Sequence, residues 1–86
     1  MDSILASLPA SLLSFVEDQL SNNDVSPDEE LLDHFIANGL NDEQARQALT
    51  YRDNYSANIY LEGFTPIRKA DEALRFNPAT RQFKPD

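Results

Sequence analysis

The side chains able to do chemistry are few and poorly matched to one another. His34 is the single histidine among 86 residues, and cysteine is absent. Acid–base or nucleophilic catalysis needs a second functional group within reach of the base, and a metal centre needs several convergent ligands. Asp33 adjoins His34 in sequence but points elsewhere on a helix. No serine sits in a Gly-x-Ser-x-Gly elbow, and no glycine-rich phosphate loop occurs. Asp24, Asp28, Glu29 and Glu30 cluster tightly, but the alternating ligands and central glycine of a calcium loop are missing, and Pro27 interrupts the spacing. The chain reads as a non-enzyme, with no catalytic residue, cofactor or metal.

The remaining candidates are recognition groups. Residues 1–50 carry ten acids and one base, Arg46, for a net −9; residues 51–86 carry five acids and six bases, for +1, and the two sum to −8. A field so divided selects the partner it can approach. Asp28, Glu29, Glu30, Asp33, Asp42 and Glu43 are candidate contacts for a basic protein surface. Tyr51, Arg52 and Tyr55 join them, because tyrosine and arginine are common interface anchors. The bland alternative is that the tyrosines cover a thin core with their hydroxyls in water. The tail interleaves Arg68, Lys69, Arg75, Arg81 and Lys84 with Phe64, Phe76 and Phe83. That pattern can bind single-stranded nucleic acid, or it can lie against the protein's own acidic helices, which is the stronger reading.

Helices must position these groups. Ser7-Leu8-Pro9 predicts a first helix with a serine cap and a first-turn proline; Leu12, Leu13, Phe15, Val16 and Leu20 make its apolar stripe, with Glu17 and Asp18 off it. Ser26-Pro27-Asp28-Glu29 predicts a second helix opened by a capping box. Its buried face is Leu31, Leu32, Phe35 and Ile36, and Gly39-Leu40 closes it. Asn41 caps a third, with Asp42 and Glu43 at the positive end of its dipole. Beyond Ala45, Ala48 and Leu49, one helix could run to about Glu62, or Asp53-Asn54 could cap a separate fourth helix through Tyr60 and Leu61. Gly63 stops either version. Thr65-Pro66 predicts another cap, with Ile67, Ala70 and Leu74 at helical spacing. Leu74-Arg75-Phe76 and Arg81-Gln82-Phe83 flank a turn at Asn77-Pro78-Ala79-Thr80.

The fold class is therefore all-α: a small bundle of three to five short helices, with a short C-terminal β-hairpin as the one β element the pattern allows. Residues 1–63 read as an acidic helical core domain, and residues 64–86 as a basic, aromatic extension that packs on it or binds a partner. A chain this short buries roughly 60–65% of its unfolded surface, which suits one core and no deep substrate cavity. The apolar runs are too short for a membrane span, and with no cysteine and no basic leader the chain reads as soluble and cytoplasmic. The expected core is Leu12, Phe15, Val16, Leu20, Leu31, Leu32, Phe35, Ile36, Leu49, Ile59 and Leu61. A homodimer is open: short helices gain core by dimerising, while the −9 half opposes face-to-face pairing.

Two families share parts of this pattern. Residues 30–61, through Leu31-Leu32-Asp33-His34-Phe35-Ile36-Ala37-Asn38-Gly39-Leu40, Asn41 to Leu49 and Ile59-Tyr60-Leu61, resemble a ubiquitin-associated domain of the UBA/CUE type. The resemblance implies three short helices and an adaptor for a ubiquitin-like fold, with Asn38-Gly39-Leu40 standing where the family has Met-Gly-Phe/Tyr. Residues 4–36, through Ser7 to Leu20 and Ser26 to Ile36, are similar to the N-terminal part of ParD-like antitoxins. That similarity implies a strand at Ser3-Ile4-Leu5-Ala6-Ser7, a dimer and a toxin-neutralising role. The family's operator binding would need cations that this segment lacks. The function expected from the residues is a non-catalytic regulator or inhibitor, antitoxin-like or like a phage or plasmid inhibitor, meeting a basic protein through its acidic half.

Overall fold

In the computed structural model, residues 1–61, 63–69 and 72–85 are described. They form α1 (Ala10–Asn22), α2 (Asp28–Ala37), α3 (Asp42–Leu49), α4 (Arg52–Ala57), the single turn α5 (Pro66–Lys69), and strands β1 (Leu74–Asn77) and β2 (Gln82–Pro85). The helical bundle with a terminal hairpin is the architecture expected from the sequence.

The helix starts show where local signals prevail and where they do not. Asn41 accepts from the Gln44 amide at 2.8 Å while Gln44 Oε1 accepts from the Asn41 amide at 3.0 Å. This capping box opens α3. At α5, Thr65 Oγ1 accepts from the Arg68 amide, as its cap signal implies. The Ser26 box does not form. Pro27, at φ −65° and ψ 162°, occupies the N-cap position of α2. Ser26 lies one residue too early, its amide held by Asn23 Oδ1 and its carbonyl by Arg52. Asp28, Glu29 and Glu30 instead support the first turn through the helix dipole. Ser7 likewise fails as a cap. Helix α1 begins after Pro9, whose carbonyl accepts from the Leu13 amide at 2.9 Å, and Ser7 Oγ accepts from Gln44 Nε2.

The α2 C-terminus closes as predicted. Gly39 adopts φ +121°, its amide bonds Ile36 O, and the Leu40 amide bonds Phe35 O. These are the paired bonds of a Schellman ending, which drive Leu40 into the core at 3% exposure.

Residues 42–57 form two helices rather than one. The Thr50 and Tyr51 amides bond three residues back, to Gln47 and Ala48, so the chain tightens before α4 begins at Arg52. Helix α4 ends at Ala57, short of Tyr60 and Leu61, which are extended. Ile59 O accepts from the Phe76 amide at 2.7 Å and the Leu61 amide donates to Leu74 O at 2.8 Å, so this segment is a short partner for β1. Leu74 therefore belongs to a strand and not to a helix with Ile67. The parts of these expectations resting on Glu62 and Ala70 lie outside the described residues. Strand β1 pairs antiparallel with β2, Phe76 opposite Phe83, around a turn in which the Asn77 side chain accepts from the Ala79 amide.

Helix α1 packs on α4 and α2 on α3. Leu13, Val16 and Leu20 of α1, Leu31 and Phe35 of α2, and Ala45 and Ala48 of α3 are buried with Leu5, Leu8, Leu40, Tyr55 and Ile67 in one cluster. Leu12, Phe15, Leu32 and Leu49 pack around it half-buried. Two expected core residues are corrected. Ile36, on the outer side of α2, is 41% exposed, and Ile59, extended beside the hairpin, is 68% exposed. Residues 3–7 are turns, not a strand: Asp2 Oδ1 accepts from the Ile4 and Leu5 amides, which tucks Leu5 inside. Ile67 is fully buried and its carbonyl accepts from the Asp2 amide, so part of the basic segment belongs to the core.

Candidate protein-interaction surface

Two of the acidic residues are consumed by the fold. Glu17 lies four residues after Leu13 and three before Leu20, on the apolar stripe rather than off it. Its Oε2 accepts from the Tyr55 hydroxyl at 2.7 Å and from Thr65, and its Oε1 accepts from Arg68 Nε at 2.5 Å. Three donors on a carboxylate satisfy it well enough to tolerate burial. Burial, and then the bond to Glu17, push the Tyr55 hydroxyl far above the ordinary phenol range. A groove of about 770 Å³ opens over this hub, between α1 and the 57–60 segment, but its floor is already hydrogen-bonded. Asp2 forms the second internal network, with Oδ2 accepting from the Tyr51 hydroxyl at 2.6 Å and from Gln47 Nε2 at 2.7 Å. Burial opposes the Asp2 charge, but bonds from Tyr51, Gln47 and the Leu5 and Ile4 amides outweigh it and hold the carboxyl below its usual range. Burial and the same carboxylate push Tyr51 up to about 12. Tyr55 thus ties α4 to α1, and Tyr51 ties the α3–α4 junction to the N-terminal segment.

Arg52 is also an internal brace. It opens α4, and its guanidinium turns toward the α1–α2 connection. Nη1 donates to Asp28 Oδ1 at 2.6 Å, and Nη2 donates to the carbonyls of Asn23 (3.1 Å) and Ser26. The Arg52 side chain is 14% exposed, whereas that of Asp28 is 74% exposed. The planar guanidinium holds these donors in fixed directions, a preorganisation that a lysine ammonium lacks. Its sequence signal was faint: a base following a long acidic stretch must find some carboxylate.

What the fold leaves over is a set of unpaired carboxylates. Asp42 pairs with Arg46 at 2.8 Å, and Asp18 accepts from Asn22. Among the described residues, no base lies within ion-pairing distance of Asp24, Glu29, Glu30, Asp33, Glu43 or Asp53, and all six are exposed. Glu29, Glu30 and Asp33 repeat at i, i+1 and i+4 on α2, so their charges reinforce one another. Asp42 and Glu43 stand apart from them, at the start of α3. His34 is exposed, its ring 5.4 Å from that of Phe15. Among the described residues, no cluster of three His, Asp or Glu side chains could hold a metal, and no helix is long and apolar enough to cross a membrane.

The chain matches no protein-family model, no curated protein and no solved structure.

Proposed function

We propose that this protein is a small, non-catalytic regulator that binds another protein, engaging a basic surface through the carboxylates of its N-terminal half. The observation that carries the reading is the sorting of its acids. Asp2, Glu17, Asp28 and Asp42 have partners within the fold, while among the described residues no base pairs with Glu29, Glu30 or Asp33 on one helix. Like charges at helical spacing repel one another, a cost of a few tenths of a kcal/mol per pair that a cationic partner would reverse. Such a field accelerates encounter with a basic protein and makes association salt-dependent. The adaptor alternative draws no support from the Asn38-Gly39-Leu40 loop, since the Leu40 side chain is buried and the loop amides are spent on the α2 ending.

The test is affinity capture from the native host with the full chain, comparing wild type with E29Q/E30Q/D33N and with D42N/E43Q. The proposal expects one protein with a basic surface, recovered at low salt, lost above physiological salt, and lost selectively with the α2 variant. Capture of the same protein by the α2 variant, with the same salt profile, would sink it.

A further inference from the structure

We infer that the α1–α2 connection is the anchoring point of this interface: Val25 and Pro27 form an apolar knob that enters a pocket on the partner, while a partner lysine or arginine enters the acidic notch beside it. The inference rests on the protein-binding reading above and names where and with what chemistry the contact is made.

Val25 is 89% exposed, the most exposed large hydrophobic side chain among the described residues. Single exposed apolar residues are common on protein surfaces. This one differs in how it is held. Asn23 Oδ1 accepts from the Ser26 amide, Asn23 Nδ2 donates to Gln19, and Arg52 grips the carbonyls of Asn23 and Ser26 on either side of it. The backbone carrying Val25 is therefore braced from two helices, and ordering it on a partner costs little further entropy. Pro27, also exposed, adds a second rigid apolar group two residues on.

Val25 and Pro27 also form part of the wall of a notch of about 400 Å³, whose charged lining is Asp24, Asp28, Asp53 and Arg52. Three carboxylates against one guanidinium leave the notch anionic. Arg52 is directed into the loop carbonyls and one oxygen of Asp28, so Asp24 and Asp53 keep their charge for an incoming cation. Its net charge suits a lysine or arginine side chain. An apolar group seated in a partner's pocket with charges at its edge follows the usual anatomy of an interface, an apolar centre inside a polar rim. The charge sets the chemistry of the occupant: a partner whose apolar pocket is rimmed by lysine or arginine, and not a nucleic acid, whose phosphates the notch repels.

The experiment uses the full chain with a benzophenone amino acid at position 25, at position 33 on α2, or at position 79 in the hairpin turn, cross-linked in the native host. The expected adduct forms from position 25, and its cross-linked peptide maps to an apolar depression flanked by basic residues. That protein is then purified and titrated with wild type, Val25→Ser, D24N/D53N and E29Q/E30Q/D33N. Val25→Ser should weaken binding at least tenfold with the salt dependence unchanged and the melting curve superimposable on wild type, since the side chain is outside the fold. D24N/D53N should weaken binding and flatten the salt dependence. Adducts from position 33 but not 25, or full affinity of Val25→Ser, would overturn this inference and leave the protein-binding reading standing. Adducts from position 79 alone, or from none of the three, would remove both.

Discussion

Arg52 illustrates how one largely buried side chain can organise a surface. Its guanidinium joins the start of α4 to the end of α1 and the start of α2, through two carbonyls and a carboxylate. Hydrogen bonds to a charged group contribute more than neutral ones, about 1.5–3 kcal/mol when a partner is removed. Arg52→Gln should therefore lower stability by about 1–3 kcal/mol in denaturant titration, and hydrogen exchange at residues 24–27 should quicken more than exchange in α3. Equal protection of that connection in wild type and variant would show that the brace is ornamental. Glu17 has the same lesson on the other side of α1. The sequence pattern sets it off the apolar stripe, yet the fold turns its carboxylate inward onto three donors that no local pattern announces. Tyr55, Thr65 and Arg68 come from residues 38, 48 and 51 positions away.

Among the elements, legibility tracked how local the stabilising bonds are. The α3 cap and the α2 ending both close within six residues, and both could be read directly. The ending also makes the sharpest test. Gly39 at φ +121° lies where a side chain is strained, and a Cβ there would stand 3.4 Å from Leu12 Cδ2. Gly39→Ala should cost about 1–3 kcal/mol, measured as a lowered denaturation midpoint at unchanged slope. An alanine variant as stable as wild type would contradict the left-handed closure. The Ser26 box, by contrast, failed for a non-local reason. Arg52 and Asn23 recruited the serine's backbone for the loop, and the helix began a residue later. The same competition explains Ile59, where a helical period was overridden because β1 offered the backbone of residues 59–61 a ladder partner. An isolated two-stranded hairpin is marginal; the third short segment fastens it to the helical body.

For the whole molecule, the internal acid networks predict a stability profile with two distinct limbs. Asp2 titrates lower in the folded state than in the unfolded chain. Its contribution is present above the ordinary carboxyl pKa and is lost as pH falls through the folded value, below about pH 4. Tyr51 titrates higher when folded, at about 12 against 10.0, so its contribution is present below pH 10.0 and fades as pH rises toward 12. Melting temperatures measured across pH should show a shallower acid limb in Asp2→Asn and a shallower alkaline limb in Tyr51→Phe. Parallel curves for all three proteins would mean that this tie between the N-terminus and the α3–α4 junction does not form. The charge of −8 adds a general repulsion within the acidic half, so moderate salt should raise the midpoint of every variant.

The division of labour between sequence and tertiary structure follows from the range of the forces involved. Composition and periodicity determined an acidic, helix-rich chain with a terminal hairpin, the stripe from Leu13 to Leu20, the closure at Gly39 and the excess of carboxylates in the first half. Each depends on neighbours within a turn or two, or on a simple sum. Only the packed chain decided which carboxylates remain available. Asp2 and Glu17 withdrew into hydrogen bonds with distant donors, Tyr51 and Tyr55 left the surface to serve them, and Arg52 turned inward to hold a loop. That outcome depends on contacts tens of residues apart, where charge pattern is silent and geometry alone assigns each donor its acceptor.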